Sequence, residues 1–391
     1  MLLVFNPVSF ANYGHNGDLF PRWYGTVAAF SGTSPYSAEV SGEIQRTFHG
    51  HALAPGEEKD EQRFANPAYV IFLLWPLTTV DFWTVKIISA LAMVGMIMVL
   101  PLLWLDALGR KARLRSRLAM SFFLLGLVPT IHALRLQQLA IPVVLFVTLG
   151  FLFIRRGQLA WAGAAFALST IKPQMALAPL LWLAIWIAGD WKGRWKLAAG
   201  FVATLAALSF GAELIVPGWI PQFVDGLRAY GHYADTRPLL VFLLGGFAGG
   251  LAVAGVLAFF LASAARSRRY PASTPEFAGA MALSFCVGAL CVPAIRGPYN
   301  HLLLIPAVLV VADKMQGIAG RIIFLALLVV PTLIAAANNI LQLPATLVVS
   351  TALVMECVPP LCIAVAMIVV EARSFRDALS ARLAFRPDSS L

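Results

Sequence analysis

Charge is scarce in this sequence. Asp, Glu, Lys and Arg together make up 12% of the 391 residues, hydrophobic types 60%, and the mean hydropathy is +0.80. A water-soluble domain does not reach such values, so lipid is the main solvent. Cysteine is equally rare, and Cys286, Cys291, Cys357 and Cys362 all fall inside apolar stretches. They read as small helix-packing residues, since none stands in a polar loop where a disulfide or zinc site is built. Also missing are a Gly-rich phosphate loop after a strand, an HExxH pattern and a DxD-like carboxylate pair, so no cofactor and no obligatory metal is expected. Met1 to Phe10 is apolar but has neither a basic start nor a small-residue cleavage site, and does not read as a cleavable signal peptide.

What the sequence has in quantity is apolar blocks. They run over 83–105, 118–133, 139–154, 158–171, 175–189, 197–217, 238–262, 276–293, 300–312, 320–337 and 344–370. This predicts an all-α polytopic membrane protein with about eleven spans, several shorter than the ~20 residues of a simple crossing. Pro101, Pro129, Pro142, Pro179, Pro306 and Pro331 interrupt or end them. Freed backbone groups at such breaks are tolerated where they face protein or a watery chamber, so a polar chamber within the bundle is expected.

The formal net charge of +10 comes from short basic runs between these blocks, where topology rules place them, and implies no nucleic-acid partner. One set of loops holds Arg110 to Arg117, Arg155 and Arg156, Lys192 to Lys196, Arg266 to Arg269, Lys314 and Arg321, and the tail from Arg373 to Arg386. These are assigned to the cytoplasmic side, and the alternate connections around 132–138, 172–174, 217–238, 293–301 and 338–344 to the outside. The alternation puts residues 1–66 outside as an N-terminal segment and first loop, 67–372 in the helix bundle, and 373–391 in a basic cytoplasmic tail. Met1 to Phe10 then reads as the last turns of a first helix whose beginning lies upstream of Met1.

Residues 13–67 are the one sizeable polar stretch, the natural place for chemistry. Within it Leu19, Phe20, Trp23, Tyr24, Val27 and Phe30 fall on one helical face, as in a helix lying along the membrane surface. Asp18 opens that helix, and residue chemistry leaves an N-cap and a catalytic role equally open. The run Glu57 to Glu61 reads as a solvated loop. Pro67 to Leu77 reads as a short dipping or interfacial helix.

In order along the chain stand "NGDLFPRWYGTVAAFSGTSPYSAEV", "FANPAYVIFLLWPL", "AGAAFALSTIKPQMALAPL" and "PYNHLLLIPA". Together they resemble the polyprenyl-phosphate-sugar-dependent glycosyltransferases of family 87, membrane enzymes of the GT-C superfamily, from Asp18 to about Ala312. The resemblance implies a GT-C-type bundle with interfacial helices on its first external loop. It implies an enzyme that takes a sugar, mannose or similar, from a polyprenyl-phosphate donor at the external face of the cytoplasmic membrane and adds it to a glycan or glycolipid hydroxyl. The first-loop carboxylate of that family is the general base, and Asp18 is the matching position.

An inverting transfer needs a base to take the acceptor proton and cations or donors around the departing phosphate. Lys172 in "STIKPQM", Arg296 and His301 can supply the latter, with Tyr299 beside His301. Lys172 could equally snorkel to headgroups, His301 could satisfy local backbone groups, and Arg296 could bind lipid. Gln137 or Gln138 matches a family position where a polar amide precedes an apolar run, and either could touch the sugar or be a plain loop residue. Trp219 to Arg237 has the aromatic and polar mixture of a carbohydrate-facing surface, which is also the composition of a membrane belt. The competing classes are a lipid-linked sugar transporter or flippase, for which no internal repeat is found, and a non-catalytic scaffold in envelope glycan assembly.

Overall fold

The computed structural model describes residues 17–54, 57, 59–314, 329, 333, 337 and 345–384. Met1 to Phe10 with its inferred first helix, nearly all of the expected span 320–337, the connection 338–344, Glu58, Arg386 and the side chains of His232 and Tyr233 lie outside the described residues. Among the described residues every regular element is helical.

Among the described residues four helices are long and apolar enough to cross a membrane: α4 (Phe82–Ala107), α10 (Trp191–Ile215), α13 (Gly246–Ser267) and the stretch Leu353–Asp377 of α16 (Ala345–Ala384). A fifth is a bent pair, α5 (Leu114–Gly126) and α6 (Val128–Leu136), which meet at 64°. Leu127 between them is extended and Pro129 stands in the first turn of α6, so the α5 hydrogen-bond ladder cannot run on. The start of α4 is set by Asp81, whose carboxylate accepts from the Thr84 amide at 3.1 Å. That helix has 26 residues, about 39 Å of length against a ~30 Å hydrocarbon core.

The other apolar blocks make shorter helices, α7 (Ala140–Arg155), α8 (Leu159–Ser169), α9 (Pro173–Gly189) and α14 (Pro275–Cys291), and α3 (Ala68–Leu77) is a mixed helix of the same kind. With 11 to 17 residues, α7, α8, α9 and α14 reach only about 17–26 Å. Protein encloses α14 and most of α7, while α8 and α9 bury about half of their residues and leave Trp161, Leu177 and Leu181 exposed. A packed ring cluster of Trp104, Phe151, Phe166, Trp182, Phe277 and Phe285 joins them to α4. At the crossing of α8 and α10 the backbones themselves meet. A Cβ on Gly163 would strike the Leu197 carbonyl oxygen, and one on Gly200 the Ala160 carbonyl oxygen, the close approach that small residues permit in membranes.

The first-loop helices α1 (Leu19–Phe30) and α2 (Ala38–His49) pack on this bundle. The buried face of α1 differs from the expected one: Leu19, Phe20, Arg22, Gly25, Thr26 and Ala29 are buried, while Phe30 is exposed. The missing side chain at Gly25 lets Phe64 and Pro35 come against the helix. Thr26 keeps its hydroxyl satisfied by donating to the Arg22 carbonyl at 2.7 Å. The helix is thereby held on protein by a face that hydrophobicity alone does not mark. All four cysteines are free, and three are buried.

Candidate active site

Four turns converge at one end of the short inner helices. They are the start of α1, the α6–α7 turn, the α8–α9 turn and a 3-10 turn over Pro298–Leu304. The α6–α7 turn is shaped by Gln137, which takes the left-handed conformation at φ +51° while the Gln138 amide bonds back to the Ala133 carbonyl at 2.9 Å. Gln137 turns its own side chain to the Lys86 carbonyl, 2.6 Å away. Gln138 is left facing the first loop and Lys172.

Asp18 occupies the N-cap position of α1 but its side chain caps no amide. Its carboxylate instead accepts from Gln138 Nε2 and lies 3.7 Å from the Arg22 guanidinium. The same Gln138 amide uses its oxygen to accept from Lys172 Nζ at 3.2 Å. Lys172 Nζ also donates to Asn300 Oδ1 at 2.9 Å and sits 4.5 Å from the Tyr299 ring centre. Asn300 is fixed the right way round because its Nδ2 donates to the Ile295 carbonyl at 2.9 Å. Asp18, Gln138, Lys172 and Asn300 thus form one hydrogen-bonded chain drawn from all four turns.

Its electrostatics are unbalanced. Lys172 is 8% exposed, and burial, reinforced by the Arg22 charge and opposed by Asp18, pushes its ammonium down to about 7. Arg22 is buried as well, donating to the Gln137 carbonyl at 3.1 Å and to Asn66 Oδ1 at 3.3 Å. Two cations therefore face one carboxylate, whose side chain is 37% exposed. Asp60 and Tyr230 lie within electrostatic range of Asp18. A cluster with a surplus buried cation and an accessible carboxylate suits an anion on one side and a proton donor on the other.

The remaining sequence candidates separate. Tyr299 belongs to the cluster, with Lys172 Nζ over its ring and the His132 ring centre 5.6 Å away in a tilted arrangement. His301 faces another way. Its Nδ1 has no partner among the described residues, and it lines an apolar cavity of about 270 Å³. Arg296 stands apart with Asp235, 3.2 Å away, and lies over the Phe242 ring at 3.9 Å. Asp235 also pairs with Arg237, which, with Arg296, holds its carboxyl well below the usual range. Trp219 is buried against Tyr69 and offers no open carbohydrate platform.

Sequence reasoning missed Arg22 and Asn300. Arg22 was legible as the i+4 partner of Asp18 on one helical face. Asn300 carried no signal beyond standing between Tyr299 and His301, and Asp60 was hidden in a run that reads as a solvated loop.

The sequence model of Glycosyltransferase family 87 matches residues 64–293, more than half of the chain. This chain belongs to glycosyltransferase family 87. No curated protein and no solved structure matches it. The family region contains Gln137, Gln138 and Lys172, while Asp18 and Arg22 precede it and Arg296, Tyr299, Asn300 and His301 follow it. As a member of this family, and with several helices fit to cross a bilayer, the protein is a membrane glycosyltransferase acting on a sugar donor and an acceptor. Among the described residues no three of His, Cys, Asp and Glu converge to hold a metal ion.

Proposed function

We propose that this glycosyltransferase uses a polyprenyl-phosphate sugar as donor, at the external face of the cytoplasmic membrane, and inverts the anomeric centre with Asp18 as general base. The observation that carries the reading is the Asp18–Gln138–Lys172 chain, which sets an accessible carboxylate one amide away from a buried ammonium. In the proposed reaction the acceptor hydroxyl gives its proton to Asp18 as its oxygen attacks the anomeric carbon. The bond from that carbon to the phosphate oxygen breaks, and the polyprenyl phosphate leaves as an anion toward Lys172 and Arg22.

In this reading Gln138 is a spacer, both ends of its amide being engaged, and Asn300 and Tyr299 orient the lysine. Arg296 has a carboxylate partner of its own and is assigned no part in the transfer. A lysine whose pKa is brought to about 7 by burial regains full charge when a phosphate anion sits beside it, so donor binding and lysine protonation reinforce each other.

The test is transfer by the purified protein in nanodiscs against a panel of polyprenyl-phosphate sugars, with mannose among them. A glycosidic product from one of them is expected. Movement of the lipid-linked sugar across the bilayer with no new glycosidic bond would point to a transporter instead.

A further inference from the structure

Three of the four segments that carry the family likeness supply Asp18, Lys172 and Asn300 to the hydrogen-bonded chain; the fourth, "FANPAYVIFLLWPL", supplies no member of it. Its polar groups nevertheless reach both cations. Asn66 Oδ1 accepts from Arg22 Nε at 3.3 Å, and the Asn66 carbonyl is held by the Tyr36 hydroxyl at 2.5 Å. Three residues on, the Tyr69 hydroxyl lies 3.0 Å from the Thr170 carbonyl oxygen and 2.9 Å from Thr170 Oγ1. Thr170 gives its single hydroxyl proton to the Ala167 carbonyl, 2.6 Å away, so Tyr69 is the donor and shares one proton between the two oxygens.

Thr170 stands two residues before Lys172, at the end of α8, and the turn between them does little to hold itself. The Ile171 and Lys172 amides reach the Leu168 and Ser169 carbonyls only at 3.4 and 3.5 Å, beyond the ~3.2 Å of an ordinary N–H···O bond. Pro173, which follows, has no N–H to add. The brace from Tyr69 is firm by comparison. Ala68, Tyr69, Val70 and Ile71 are all buried. The Tyr69 ring packs edge-on against Trp219 with centroids 5.7 Å apart, and the Trp219 indole is itself fixed by donating to the Ser209 carbonyl at 3.3 Å.

We propose that Tyr69 is a positioning residue for sugar transfer: by donating to Thr170 it fixes the turn that presents the Lys172 ammonium to the donor anion, and with Asn66 on Arg22 it sets the spacing of the two cations. Its role in transfer rests on the polyprenyl-phosphate reading; its hold on the turn does not.

Tyr69→Phe removes the hydroxyl and keeps the ring against Trp219. In the full chain in nanodiscs, hydrogen exchange at the Ile171 and Lys172 amides is expected to quicken about three- to tenfold, the span of one net hydrogen bond, with α14 unchanged. In transfer assays with the most active donor of the polyprenyl-phosphate sugar panel, the donor KM should rise by a similar factor and the acceptor KM stay level. A mere loss of folded protein lowers kcat and leaves both KM values alone. In a Lys172→Ala background Tyr69→Phe should change the donor KM by less than about twofold, because the lysine through which it acts is gone. Exchange that does not respond, exchange that quickens equally in α14, or a full further rise of the donor KM in the Lys172→Ala background would each overturn the proposal. A wild-type donor KM in Lys172→Ala alone would refute the donor reading and with it the role of Tyr69 in transfer, while the exchange result, which needs no substrate, decides whether Tyr69 holds the turn.

Discussion

Replacing Asp18 by asparagine separates the proposed chemistry from the architecture that holds it. The amide is the size of the carboxylate and its oxygen can still accept from Gln138 Nε2. What is lost is the charge and with it the pairing to Arg22, 3.7 Å away on a side chain already 37% exposed. Partly solvated pairs of that kind contribute about 0–1 kcal/mol, so Asp18→Asn is expected to move thermal stability by no more than a few degrees. A positioned general base contributes about 10²–10⁴ in rate, or roughly 3–5 kcal/mol of barrier. The substitution also leaves Arg22 and Lys172 without their shared anion, so the donor KM is expected to stay level or fall while kcat drops. Initial rates across donor concentrations, together with a melting curve, read all three quantities. A kcat within tenfold of wild type, with the fold intact, would refute Asp18 as the base and move attention to Asp60, which stands in its electrostatic field.

The depressed Lys172 ammonium has a pH signature. Its charge is full below about pH 7 and lost as pH rises through it, so the donor KM is expected to climb by about tenfold per unit on the alkaline side, and Lys172→Arg should flatten that limb. Gly200→Leu forces a side chain against the Ala160 carbonyl at the α8–α10 crossing and is expected to destabilise by about 1–3 kcal/mol or more, read as a lower melting temperature in nanodiscs. Arg194 donates to the carbonyls of Trp186, Arg268 and Tyr270 and stacks 3.7 Å from the centre of the Trp186 ring. Arg194→Lys, which keeps the charge, should therefore lose most of the stability that Arg194→Ala loses; full rescue by lysine would show that charge alone matters there.

Composition and hydrophobic runs were enough to read a helical membrane protein, because burying backbone in lipid leaves few other choices. The same runs did not tell a simple crossing from a shorter helix such as Leu159–Ser169, about half of which is buried in protein, because apolar sequence looks alike against lipid or protein. That Arg194 satisfies three carbonyls was not legible, because two of them, those of Arg268 and Tyr270, lie more than 70 residues away. Asp18 and Lys172 could be nominated from residue chemistry and family likeness. Only the tertiary structure decided that Gln138 joins them, that Asn300 shares the lysine, that Arg296 pairs elsewhere and that His301 lines an apolar cavity. Local sequence sets which groups need partners, whereas the partners, more than a hundred residues away in two of these contacts, are chosen by how short inner helices pack their ends together.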